Sequence, residues 1–215
     1  MLDEGLLQFG LRAFVTLFVV VDPLGVAPMF VGLTAELDAV RKRAILSRAV
    51  AVAFGVTFFF LVAGGFLLTY LGVTVDAFAI SGGVLLFIAS VPMLFGHRPG
   101  LQAPERSEER TTGEDIAIFP LAIPLLSGPG AITSVLLLTN QARGDIVRLA
   151  LFAVVISAVY GISWGVLAAG DSVMARLGKG KVHIITRVLG IILAALAVQY
   201  ILSGLAGFYA TLTGK

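Results

Sequence analysis

The stretch Val21-Asp22-Pro23-Leu24-Gly25-Val26-Ala27-Pro28 constrains this chain more than any other, because it lies inside an apolar run from Phe9 to about Leu33. A helix of roughly 20 apolar residues spans the hydrocarbon core of a bilayer, and Asp22 stands next to the midpoint of this run. A carboxylate at that depth is costly unless it is paired or used. A second run, Ile116 to Leu138, reads Ser127-Gly128-Pro129-Gly130 at its midpoint. Two spans are therefore predicted to be interrupted at matching depths.

With 58% hydrophobic and 13% charged residues over 215 positions and a mean hydropathy of +1.01, most of the chain has no aqueous surface to present. The reading is an all-α, polytopic membrane protein. Its net charge of +2 is no nucleic-acid footprint, because the basic residues sit between apolar runs without interleaved aromatics. Without cysteine there is no disulfide framework, thiolate metal site or cysteine nucleophile. Met1-Leu2-Asp3-Glu4 lacks the basic start of a cleavable signal, so the first run is expected to stay as a span.

The apolar runs are Phe9–Leu33, Ile45–Leu71, Asp76–Phe95, Ile116–Leu138, Val147–Ala169 and Ile184–Tyr209. Six transmembrane helices are expected, with residues 1–95 and 116–215 as two halves joined by a hydrophilic linker over 96–115. Eleven Lys and Arg residues fall in the first loop, the linker and the fifth loop with their flanks; only Arg12, Arg143, Arg148 and Lys215 fall on the other side. The positive-inside rule then places both termini outside the cytoplasm.

The halves also resemble copies. At an offset of 105, Asp22 meets Ser127, and Gly25, Leu33, Thr34 and Arg43 meet Gly130, Leu138, Thr139 and Arg148. With three spans in each half, the second copy must enter the membrane in the opposite direction. Inverted repeats with broken first and fourth helices point to a transporter whose site lies near the midplane.

Asp is a favoured helix N-cap and Pro a favoured first residue, so Asp22-Pro23 is expected to restart a helix. Leu24, Gly25 and Val26 would then carry amides without intrahelical acceptors. In the second half, Gly128 takes the cap and Pro129 the first turn, freeing the amides of Gly130 and Ala131. Small residues here open the approach to the backbone, and two opposed positive helix ends would suit a carboxylate. Asp22 either caps its own helix, meets a substrate ammonium or carries a coupling proton. Ser127 lies at the second break, and Thr133, Ser134 and Gln199 are further polar contacts, although Thr133 and Ser134 can equally bond back to their own helix.

Other features read as packing or solvation. Ser157, Gly161, Gly165 and Ala169 form a small-residue stripe expected to pack within the subunit, with dimerisation as the alternative; Gly82-Gly83 invites the same packing reading. His97 and His183 lie near span ends without partners at metal spacing, so no metal or other cofactor is expected. Trp164, Tyr70 and Tyr209 suit the bilayer interface.

Val21 to Pro28, together with Pro120-Leu-Ala-Ile-Pro124-Leu-Leu-Ser-Gly-Pro-Gly-Ala-Ile-Thr133, resembles the MarC family, also known as the neutral amino acid transporter family. The resemblance covers essentially the whole chain. It implies a six-span protein of the bacterial or archaeal inner membrane, placed with the LysE-type exporters. Some members are associated with small neutral amino acids such as glycine and alanine, in either direction.

The leading expectation is a secondary transporter of small neutral amino acids, working by alternating access and coupled to protons or sodium, since no nucleotide-binding motif is present. Its partners are membrane lipid and that substrate, with a homo-oligomer left open. The alternatives are an exporter of another small anionic or zwitterionic metabolite, or a non-transporting membrane or channel subunit. An intramembrane enzyme is disfavoured, because Asp22 and Ser127 have no second carboxylate or histidine at their depth.

Overall fold

The computed structural model describes residues 4–95, 116–142 and 144–213. The linker over 96–115, His97, Arg143 and both chain ends lie outside the described residues. All regular structure among the described residues is helical: α1 (Glu4–Val21), α2 (Pro23–Leu33), α3 (Ala39–Tyr70), α4 (Val75–Phe95), α5 (Ala117–Leu126), α6 (Pro129–Gln141), α7 (Ile146–Ala168) and α8 (Gly170–Thr213). Five helical stretches are long and apolar enough to cross a membrane, and α5 with α6 makes a sixth if the pair is counted as one bent span.

Local chemistry explains several boundaries. The Asp38 carboxylate accepts the Arg41 amide at 2.8 Å and starts α3 six residues before the apolar run begins. Asp145 does the same for α7, accepting from Val147 and Arg148. Such caps satisfy amides that a helix start leaves unbonded. Within α8, Gly178 takes φ 70°, a left-handed conformation that separates a short first segment from the spanning part.

The two interruptions differ in kind. Gly5 to Leu33 continues as one span through Asp22, since the Asp22 amide bonds Phe18 O and the Val26 amide bonds Asp22 O, both at 3.0 Å. The second bends by 49° between α5 and α6. Phe119 and Ile123 are extended because a following proline disfavours helical backbone, and the Ser127 amide reaches back five residues to Ala122 O.

The helices pack in a regular set of pairs: α1 on α7 and α3 on α5, α4 on α6 and α8 on α2, α1 on α6 and α2 on α5, α3 on α6 and α7 on α2. α3 also packs on α7, and α4 on α8. Both of the last pairs are antiparallel. Trp164 meets Ser47 where Tyr160 meets Thr57, and Gly190 lies on Met93 where Gly204 lies on Asp76. Along α8, Gly190, Leu193, Ala197, Tyr200 and Gly204 are buried at alternating spacings of three and four, the period of a close helix seam. A Cβ at Gly83 would stand 2.7 Å from Ala197 O, so the predicted packing role of Gly83 is realised against α8.

The stripe Ser157, Gly161, Gly165 and Ala169 does not pack within the subunit. All four are exposed, and a Cβ at Gly161 or Gly165 would meet nothing within 4 Å. α7 turns its other face inward, where Phe152, Ile156, Val159 and Tyr160 carry its larger buried surface.

Candidate functional site

Asp22 is the residue most out of keeping with its surroundings. It is 8% exposed and holds φ 46° and ψ 59°, among the described residues the only non-glycine at positive φ. A left-handed conformation costs an ordinary residue about 1–2 kcal/mol, and Asp is among the few that tolerate it. Its Oδ1 accepts the Gly25 amide at 3.0 Å, so the predicted cap is made. No ion pair involves it among the described residues, where the pairs are Arg41–Asp38, Lys42–Asp171 and Arg148–Asp145.

This geometry corrects the expected anion site at the start of α2. The Gly25 amide is taken by the Asp22 carboxylate and the Val26 amide by Asp22 O, which leaves only that of Leu24. Pro23 and Val26 are buried among neighbouring helices. Gly25 makes room for the protein's own carboxylate, because a Cβ there would collide with the Asp22 side chain.

At the second break, the first α6 amide with a backbone acceptor is that of Ile132, bonded to Gly128 O at 3.2 Å. Gly130 and Ala131, both buried, have no acceptor for their amides among the described residues, just after Pro129, which is exposed. A Cβ on Gly130 would stand 2.6 Å from Leu86 Cδ1 and 3.1 Å from Val20 Cγ1. Gly130 therefore admits α1 and α4 as neighbours, and it brings the start of α6 against the turn that leads into Asp22. A Cβ on Gly128 would collide with Pro124 O.

The hydroxyls of Ser127, Thr133 and Ser134 are bonded to their own chain. Ser127 Oγ donates to Ala122 O at 2.9 Å, Thr133 Oγ1 to Pro129 O at 2.8 Å, and Ser134 Oγ to Gly130 O at 2.8 Å. Bonding back to the helix, one of the two readings open for Thr133 and Ser134, is what they do here. Gly82 exists for Thr133, since a Cβ at Gly82 would occupy the Thr133 side chain's place. Gln199 does not join the site. It is exposed and bonds Ser203 on its own helix at 3.3 Å, because the buried phase of α8 runs through Ala197 and Tyr200.

Two tyrosines missing from the sequence reading complete this region. Tyr160 OH donates to Leu126 O at 3.0 Å and lies 2.6 Å from Thr57 Oγ1; Tyr200 OH lies 2.7 Å from Ser134 Oγ. One holds the end of α5 and the other the start of α6, so the break is clamped on both sides from α7 and α8. Their positions carried a usable signal: each falls well inside an apolar run, where a tyrosine hydroxyl must find a partner within the protein. Tyr160→Phe strands Leu126 O and Thr57, at about 1–3 kcal/mol for each buried group left unsatisfied. A lowered melting temperature in detergent is expected; an unchanged one would mean that the clamp contributes nothing.

A cavity of about 880 Å³ lies elsewhere, between α3 and α7, and its lining includes neither Asp22 nor any residue of the second break. Among the described residues no cluster of three His, Cys, Asp or Glu side chains could hold a metal ion.

A family model described as MarC family integral membrane protein matches residues 7–209. Similar curated proteins are a UPF0056 membrane protein of Archaeoglobus fulgidus, 39% identical over 202 residues and 94% of both chains, and the UPF0056 membrane protein YvbG of Bacillus subtilis, 31% identical over 96% of this chain and 98% of its own. The UPF0056 membrane protein YhcE of Escherichia coli is 30% identical over 92% of each chain. No solved structure matches. With a match that runs from α1 almost to the end of α8 and takes in both interrupted spans, the chain belongs to the MarC family of multi-pass integral membrane proteins.

Proposed function

We propose that the protein is a secondary transporter of small neutral amino acids such as glycine and alanine, seated in the bacterial or archaeal inner membrane. The observation that carries this reading is the meeting of the two interruptions. Val20, next to the Asp22 turn, lies against Gly130 at the start of α6. One buried carboxylate without a cation and two free amides at a helix start, those of Gly130 and Ala131, thus share one region of the interior. The substrate's ammonium goes to Asp22 and its carboxylate to the α6 amides, the polarity that a helix N-terminus favours.

The helix pairing supports two inverted halves. Exchanging α1 to α4 with α5 to α8 turns α1–α7, α4–α6, α1–α6 and α3–α6 into the observed pairs α5–α3, α8–α2, α5–α2 and α7–α2, while the small α1–α8 and α7–α8 contacts fall outside this correspondence; the self-equivalent pairs α3 with α7 and α4 with α8 are antiparallel. That is the pattern of a two-fold axis lying in the membrane plane. Because Asp22, Ser127, Thr133 and Ser134 all bond within the chain, the conformation is a closed one. Substrate entry exchanges some of these internal bonds for bonds to substrate as one half rocks against the other. Proton or sodium movement supplies the energy.

Counterflow into liposomes holding the purified protein tests this. Preloaded glycine or alanine should drive accumulation of labelled tracer, and a bulky drug-like cation should not. No accumulation with any small amino acid would sink the substrate reading while leaving the fold standing.

The proposed orientation puts the loop between α3 and α4 outside the cytoplasm and the start of α8 inside. Single cysteines at exposed Thr74 and Asp171 should therefore label from outside and inside the cell respectively, and the reverse pattern would overturn it.

A further inference from the structure

We propose that the cavity between α3 and α7 is a binding site for an anionic phospholipid, with the phosphate held by Lys42 and Arg43 and one acyl chain lying in the groove that leads away from it. The cavity measures about 880 Å³, and its lining includes Lys42, Arg43, Ser47, Trp164, Gly165 and Asp171. Lys42 Nζ lies 3.2 Å from Asp171 Oδ2, and the Arg43 guanidinium stands 5.2 Å over the Trp164 ring. The Trp164 Nε1–H donates to Ser47 Oγ at 3.1 Å. Two cations against one carboxylate leave the lining net positive. A tryptophan with a wet, polar side and an apolar body marks headgroup depth, and Leu46 and Leu167 form an apolar wall behind it.

The groove supplies the second half of the argument. From Ser47, the exposed line on α3 continues to Ala51 and Gly55; from Gly165, the exposed line on α7 continues to Gly161 and Ser157. Both lines run at a spacing of four, so each stays on one helix face. A Cβ at Gly55, Gly161 or Gly165 would meet no atom within 4 Å. These glycines therefore serve no packing within the chain, and each helix carries a line of small exposed residues about 12 Å long that starts at the mouth. A cationic mouth from which lines of small residues lead along two helices fits a lipid headgroup with its chain. A second copy fits less well, because a two-fold contact on this face would bring two net-positive mouths to the same side of one interface. Basic pockets between helices on the positively charged side of a membrane protein suit anionic headgroups.

Native mass spectrometry of the full chain in detergent, titrated with phosphatidylglycerol or phosphatidylcholine, tests the site. One phosphatidylglycerol per chain should be retained in preference to phosphatidylcholine. Lys42→Gln with Arg43→Gln should weaken retention about thirtyfold, on the order of fivefold per cation. Gly165→Leu places a side chain at the mouth where its Cβ meets nothing within 4 Å, and should weaken retention while leaving the lipid-free melting temperature unchanged. Equal retention of the two lipids would overturn the proposal, as would undiminished phosphatidylglycerol in either variant or equal stabilisation by inorganic phosphate. A lipid-free dimer that Gly165→Leu splits into monomers would assign the face to a second copy instead.

Discussion

Asp22→Asn should leave the protein folded and inserted, and should reduce glycine or alanine counterflow by at least about tenfold, the effect of losing about 1.4 kcal/mol of differential interaction. The variant separates the two jobs of this residue. Asn tolerates the left-handed conformation seen at φ 46°, and its amide oxygen can still accept from Gly25, so the cap and the backbone route through the span survive. Only the negative charge is lost. If transport remains at the wild-type rate, Asp22 is a structural cap and the ammonium site is misplaced. Asp22→Gly makes a useful companion, because it relieves the backbone strain but removes both cap and charge; it should lose transport too, with some loss of stability.

A large loss of stability is expected at Gly83. A Cβ there stands 2.7 Å from Ala197 O, 2.8 Å from Ile201 Cγ1 and 3.2 Å from the Ile201 amide. Two of these three are backbone atoms, which cannot swing aside as a side-chain end does. Gly83→Val must therefore push α4 away from α8 along a seam that also holds Gly190, Gly204 and Gly207. Overpacking costs about 1–3 kcal/mol where a core can adjust, and the rigid neighbours put this site at the upper end. The melting temperature should fall by roughly 6–12 °C, at about 2–4 °C per kcal/mol for a chain of this size. Gly161→Val is the control, since its Cβ meets nothing within 4 Å, and it should change stability by less than about 0.5 kcal/mol. Equal losses in the two variants would mean that helix propensity, and not the α4–α8 contact, sets the cost.

The contrast between these glycines illustrates what could be read without coordinates. Gly83 and Gly161 each sit in an apolar run beside other small residues, and both invited a packing interpretation. Only the first packs within the chain. One-dimensional spacing places residues on a helix face, but it does not state which face meets a neighbour in a bilayer, where lipid is as apolar as the interior. The same ambiguity put Gln199 in the site and passed over Tyr200, its immediate neighbour, which turns inward to Ser134. Gly25 and Gly130 were read as clearing space for a substrate, whereas they clear space for Asp22 and for Leu86 and Val20.

What the sequence determined by itself was the membrane class, the places of the spans, the two interruptions and the Asp22 cap. These follow from apolar length and from the backbone chemistry of Asp, Pro and Gly, which act within a few residues of themselves. Only the tertiary structure decided that the first interruption stays a continuous span while the second bends by 49°, that Tyr160 and Tyr200 clamp the second, and that the two meet where Val20 lies on Gly130. Those outcomes depend on which helix faces which, and that is settled by packing between residues far apart in the chain.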